Sequence, residues 1–340
     1  AMLGVSAAVA SYSTYAWFIT TRIASVKIDS VGAKSNDGSL QLVGITDSCI
    51  NLPQYKLGTA TGTDGVTGSE LSFAYTATDN ISLTDVSSDG KTFYKPIWNA
   101  KTHGNGHSND TPASSGAAVT NQLSASDIKN VTTGDGDSED TKESYEAGDE
   151  YLTDDNLGYF KQFKFKINNT GTNEMNVYMS KVENTPLVKR DSAKSATENA
   201  NEIGGFRLSV VIDNKVVFYY APIHDDNIKH IAATSSEDDK LYDVKKFQLE
   251  ALDSDVKVSY GQDSTGSSDL TAAQTFSTIV DGGETAAMLA NQLIISNLAK
   301  DAKKEVTINI WVEGESNYTD TNSMNGVVAD FAFNLVALGA

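Results

Sequence analysis

Residues 159–167 read Tyr159-Phe160-Lys161-Gln162-Phe163-Lys164-Phe165-Lys166-Ile167. Successive side chains of a strand point to opposite faces, so this run sets Phe163, Phe165 and Ile167 on one face and its lysines on the other. Such a strip is stable only when a second layer covers its apolar side. Alternating or apolar runs of strand length recur at 23–29, 40–45, 175–182, 206–212, 216–220, 305–314 and 327–338. Asp213-Asn214 between two of them is a hairpin signal, and Asn168-Asn169-Thr170-Gly171 is a turn. One helix is expected over 285–293, after Asp281-Gly282-Gly283, with Ile294-Ile295 already extended. No internal repeat is present.

The chain has 340 residues, 39% of them apolar and 21% charged, so it can bury a large core. Between 52 and 157 its character changes. Gly, Thr, Ser, Asp and Asn dominate, apolar runs are short, and an acidic tract extends from Asp135 to Glu150. A compact core rarely tolerates so long a polar stretch. The expected fold is therefore all-β: a jelly-roll-like β-sandwich over 23–51 and 158–340, an inserted loop-rich lobe over 52–157, and an N-terminal donor strand over 1–22. The formal net charge is −19, from 26 Lys+Arg against 45 Asp+Glu. Nucleic acid and anionic membranes need a basic footprint, so neither is an expected partner. The single cysteine, Cys49, cannot form an intramolecular disulfide and reads as a small buried apolar residue.

No charge precedes Arg22. Ala8-Val9-Ala10 has the small-x-small pattern of a leader cleavage site, but no basic region stands before it. A membrane helix needs about 20 apolar residues, and this run is poor in leucine for that purpose. The third reading is an extended apolar strand. Such a strand is an aggregation liability unless covered, and a polymerising subunit covers it by laying it into a neighbour's sheet. On that reading Leu3, Val5, Ala7, Val9 and Tyr12 lie along the donated strand, while Tyr15, Trp17 and Phe18 plug the junction. The acceptor groove is expected in the sandwich, lined by some of Phe163, Phe165, Ile167, Ile308, Ile310, Val312, Phe331, Phe333 and Leu335.

Three segments occur in a telling order: Thr14-Tyr15-Ala16-Trp17-Phe18; the two strands and turn from Phe160 to Val182; and Ile308-Asn309-Ile310-Trp311-Val312-Glu313-Gly314, followed by a polar loop, Gly326 and a closing strand from Phe331 to Leu338. Together they resemble the TasA/camelysin-type fibre proteins of Gram-positive biofilm matrices and related archaeal bundling pili. The entry segment matches that family's small-x-x-aromatic leader junction. The stretch from Phe160 to Val182 is similar to its lysine/phenylalanine strand, asparagine-glycine turn and valine strand, read as a hairpin. The C-terminal pair resembles its penultimate and last strands. The resemblance spans roughly 10–48 and 159–340 and leaves the lobe unaccounted for. It implies a jelly-roll sandwich, secretion, and fibres in which each N-terminal strand passes into the next subunit. This chain keeps an apolar segment upstream of Tyr15, which implies a longer donated strand.

Residues for catalysis are sparse. His103 and His107 are four apart, but Gly104 and Gly106 argue against a helix, and no His-Glu-x-x-His, Gly-x-Ser-x-Gly or Walker loop occurs. The expectation is a structural protein of the cell surface, not an enzyme, whose partner is itself. No Leu-Pro-x-Thr-Gly signal occurs, so non-covalent assembly is the simplest attachment. No membrane span is expected in the mature filament and no cofactor. Asp135, Asp137 and Glu139 are hard ligands suited to calcium, with a solvated loop as the alternative. Asn80, Asn109, Asn130, Asn168 and Asn317 head glycosylation sequons. The rival reading is a monomeric or membrane-tethered surface adhesin. Phe93, Tyr94 and Trp98 would then form a sugar platform; otherwise they form the lobe's small core.

Overall fold

The computed structural model describes residues 24–35, 39–61, 67–76, 82–83, 87–91, 93–97, 131–132, 141–142, 144–147, 157–158, 160–182, 188–189, 202–224, 255–263, 270–280, 282–313 and 328–339. The first strands are β1 (Ala24–Ser35), β2 (Leu40–Val43), β3 (Cys49–Ile50), β4 (Tyr55–Thr61), β5 (Thr67–Phe73), β6 (Ser82–Leu83), β7 (Ser87–Ser88) and β8 (Phe93–Ile97). Then come β9 (Val131–Thr132), β10 (Thr141–Lys142), β11 (Ser144–Ala147), β12 (Leu157–Gly158), β13 (Phe160–Asn169), β14 (Met175–Lys181) and β15 (Val188–Lys189). The last are β16 (Phe206–Ile212), β17 (Lys215–His224), β18 (Lys257–Asp263), helix α1 (Ala286–Gln292), β19 (Leu293–Leu298), β20 (Lys303–Val312) and β21 (Val328–Gly339).

Two mixed sheets enclose the core. Sheet I runs β12-β6-β1-β21-β14-β19, with β5 also on β1, β4 on β5 and β15 on β21. Sheet II runs β18-β17-β16-β20-β13-β2, with β3 also on β13. Edge-to-face rings join their inner faces: Phe206 on Phe331 at 6.1 Å and Phe73 on Phe163 at 5.3 Å. The fold is an all-β sandwich. Its first and last described strands, β1 and β21, pair in parallel from Ser25↔Val328 to Ser35↔Ala337.

Local chemistry explains the punctuation. Asp213 and Asn214 take φ 51° and 62°, the left-handed pair that lets β16 turn tightly into β17. Thr285 caps α1 by accepting from the Met288 N–H at 3.3 Å. The helix lays Met288 and Leu289 beside Tyr178, Ile279 and Val336 on the outer face of sheet I. Gln292, at its end, is fully buried. Its amide donates to the Met179 and Ser277 carbonyls at 2.7 and 2.8 Å and accepts from the Ser277 N–H at 2.9 Å.

Three expectations need correction. The segment from Phe160 to Val182 is no hairpin: β13 lies in sheet II and β14 in sheet I. The turn between them is a corner, locked by a completely buried Asn169. Its amide donates to the Asn173 and Leu298 carbonyls at 2.8 and 2.9 Å and accepts from the Gly171 N–H at 2.8 Å. The lobe does not begin at 52, since β4, β5, β6 and β12 belong to sheet I. Lys161 does not share the outer face with the other lysines. It has the parity of Phe163 and lies at 1% exposure opposite Ile310.

Asn169→Ala is expected to lower the free energy of unfolding by about 2–3 kcal/mol, because it leaves a buried carbonyl unmet. Asn168→Ala, one residue away, removes an Oδ1 without a hydrogen-bond partner and should change stability by less than about 1 kcal/mol. Equilibrium urea unfolding of both variants checks the contrast.

Candidate functional site

Leu3, Val5, Ala7, Val9, Tyr12, Tyr15, Trp17 and Phe18 lie outside the described residues. Their root does not. Residues 1–23 run directly into β1, an interior strand of sheet I. Ala24 pairs with Leu83 and Ser25 with Ser82 on one side, while Ser25 pairs with Val328 on the other. Farther along, β5 takes over the first side at Val31. In the gap between β6 and β5, the Ile28 N–H donates to the Tyr75 hydroxyl, and the Lys27 ammonium stands 6.0 Å from the same ring. A tyrosine hydroxyl thus satisfies the strand where no neighbour reaches it.

The same device closes β13. Its outer edge is shared by β2 at 166–169 and β3 at 162–163. Between them the Tyr55 hydroxyl accepts from the Ile45 N–H at 2.8 Å and donates to the Lys164 carbonyl at 2.7 Å. The Lys164 N–H donates to the Ser48 carbonyl at 2.9 Å.

The nine residues expected to line an acceptor groove lie in the core of the single chain. Phe163, Phe165, Ile167, Ile308, Ile310, Val312, Phe331, Phe333 and Leu335 are all buried. They sit on β13, β20 and β21, each flanked by strands on both sides. Strong alternation marks the strands with most to bury, and those take the interior places.

The outer face of sheet II carries a seat that the sequence did not disclose. Gln162, Asn309 and Ser209 form a polar row across β13, β20 and β16. Gln162 Nε2 donates to Asn309 Oδ1 at 2.8 Å, and Asn309 Nδ2 donates to the Gly90 carbonyl at 3.0 Å, which also accepts from Ser209 Oγ. Nearby, Glu313 Oε2 accepts from Trp311 Nε1 at 3.0 Å and the Ser88 N–H at 3.3 Å. Phe93 stacks on Phe160 at 4.0 Å and meets Trp311 edge-on at 5.4 Å. Burial pushes the Tyr219 hydroxyl up, opposed by the Arg207 guanidinium beside it. Phe93 is therefore spent on packing against the sandwich and is not part of an exposed sugar platform. Tyr94 is on β8, paired with Ala147 and Ser87; Trp98 is outside the described residues.

Cys49 is half-buried against the core. Burial pushes its thiol up, with the Ser48 hydroxyl acting in the opposite sense. Asn168 lies in β13 between Gln41 and Lys303. Asn80, Asn109, Asn130, Asn317, His103, His107, Asp135, Asp137 and Glu139 are outside the described residues. Among the described residues no three His, Cys, Asp or Glu side chains cluster as metal ligands, and no helix is long and apolar enough to cross a membrane.

The class so defined is an all-β sandwich of two mixed sheets. Comparison with protein-family models, curated proteins and solved structures finds no match.

Two outcomes test these assignments. Gly90 has φ +90°, and a Cβ there would lie 3.2 Å from Ser209 Cβ and 3.3 Å from Val216 Cγ1. Gly90→Ala should cost about 1–3 kcal/mol and speed proteolytic cleavage within 87–97, read by mass spectrometry of limited digests. The Cys49 thiol should react with an aromatic disulfide reagent at pH 8 at least about tenfold more slowly in the folded chain than in urea, since a raised pKa keeps it protonated.

Proposed function

We propose that the protein is an extracellular structural subunit that polymerises with itself, head to tail, into a filament of the TasA/camelysin fibre type, with a jelly-roll-like sandwich as its body. The observation that carries this reading is the uncharged run before Arg22 joined without a break to β1. An uncharged segment continuous with an interior strand of the sandwich can act as a tether built into the body of its subunit. Laid into another copy, it contributes main-chain hydrogen bonds for affinity and alternate side chains for register. Burial of aromatics at the junction, Tyr15, Trp17 and Phe18, supplies about 2–3 kcal/mol each. The acidic surface keeps unassembled copies soluble.

Deletion of residues 1–12 should leave a soluble, folded monomer that forms no fibres under conditions where the parent chain does, by negative-stain microscopy. Normal fibres from the deletion would rule the reading out.

A further inference from the structure

The segment between β6 and β12 leaves the sandwich and returns to it at one place. Its two stems lie side by side on sheet I, paired in parallel as Leu157↔Ser82 and Gly158↔Leu83. Between them, β7, β8 and β11 form a separate three-stranded sheet in the order β11-β8-β7. This small sheet meets the outer face of sheet II, and among the described residues the links run through side chains. Asn309 Nδ2 and Ser209 Oγ donate to the Gly90 carbonyl, and Glu313 Oε2 accepts from the Ser88 N–H. Lys91 Nζ donates to the Asn214 carbonyl at 3.3 Å, and Phe93 adds its ring to Phe160 and Trp311.

Each side of this contact is organised from within. On the body side, the Glu313 N–H donates to the Gly205 carbonyl at 2.8 Å, which fixes the residue just past β20. Trp311 Nε1, two residues earlier, aims its carboxylate. Arg207 is held by the Gly204 and Phe206 carbonyls at 2.5 and 2.8 Å. On the lobe side, Ser88 Oγ accepts from the Gly90 N–H and Asp89 Oδ1 from the Lys91 N–H, both at 2.9 Å. These local bonds shape the turn at Gly90. Two surfaces that keep their own geometry and meet through a few side chains separate more readily than either unfolds. By contrast, β16 and β20 are paired without a break from Phe206↔Val312 to Ile212↔Val306.

We propose that β7, β8 and β11 are a hinged cover, which lifts from sheet II as a unit while both sheets of the sandwich stay folded, and that Glu313 is the body half of its clasp. Lifting uncovers an aromatic face. Phe160 stands opposite Trp311 in the register, Tyr219 meets Trp311 edge-on at 5.6 Å, and all three are buried while the cover is seated.

The test is native-state hydrogen exchange of the full chain, read by mass spectrometry at rising urea below the unfolding transition. Amides of 87–97 should exchange through an opening with little urea dependence, and those of 206–212 and 303–312 only through global unfolding. Glu313→Gln removes the charge that holds the Ser88 N–H. It should speed exchange in 87–97 more than about tenfold and leave 206–212 and 303–310 within about twofold of the parent. Phe93→Ala alters only the cover; it should do the same and raise the binding of an anilinonaphthalene sulfonate dye. Glu305→Gln, exposed on β20, should change neither. A urea dependence at 87–97 equal to that of β20, or both segments speeding up together in Phe93→Ala, would mean that the cover opens only with the sandwich and would overturn the proposal. Unaltered exchange at 87–97 in Glu313→Gln would overturn the clasp. So would loss of the whole fold in that variant, since Glu313 would then belong to the body alone.

Discussion

The parallel ladder between β1 and β21 is the constraint around which the rest of the fold is arranged. Parallel neighbours cannot be joined by a tight turn. Here almost the whole chain is the connection, from Ser35 round to Val328. Every other strand must find its place between two events that are remote in sequence and adjacent in space. Phe331 and Phe333 depend on it directly, since β21 is held by β1 on one side and by β14 and β15 on the other. So long a closure carries an entropic cost that local turns do not offset, and it slows folding relative to a chain of hairpins.

Where strands fail to meet, side chains supply the missing partners. Tyr75 reaches the gap on β1 and Tyr55 the gap on β13, each with its hydroxyl on main-chain groups. Asn169 and Gln292 do the same at the two places where the chain changes layer or direction, and both are fully buried. A buried amide with all its bonds made is tolerable; with one missing it is costly, which makes these four residues specific to this topology. They also explain how a sandwich with several interrupted edges avoids offering each of them to other chains.

Strands with the strongest period were legible as strands, including β13, β16, β20 and β21, and so were the turn at Asp213-Asn214 and the short helix capped by Thr285. Which strands pair was not legible. Phe160 to Ile167 and Met175 to Val182 resemble two arms of a hairpin because proximity in sequence favours that pairing. The Asn169 side chain, whose partners include the remote Leu298 carbonyl, turns the connection into a corner. The polar composition of 55–73 concealed β4 and β5, since a strand at the border of a sheet needs few apolar residues. The residues named for the groove are buried in the single chain for the complementary reason. A strongly apolar face identifies a strand with much to bury, and such strands belong in the middle, where no edge is open. The border strand β4 is marked by a weaker sign, a lone leucine in Lys56-Leu57-Gly58, half exposed in a row whose Leu71 and Val31 are buried.

The direction of the β1–β21 ladder has a mechanical consequence. Tension applied to β1 through the residues before Ala24 acts along the strand and parallel to its pairing with β21. In that geometry the cross-strand hydrogen bonds are strained together, in shear, and none can yield much before the others. A strand pulled sideways from an edge opens one bond at a time, like a zip. By rooting its uncharged segment in an interior strand, the molecule therefore directs a pull into the part of its body that parts least readily.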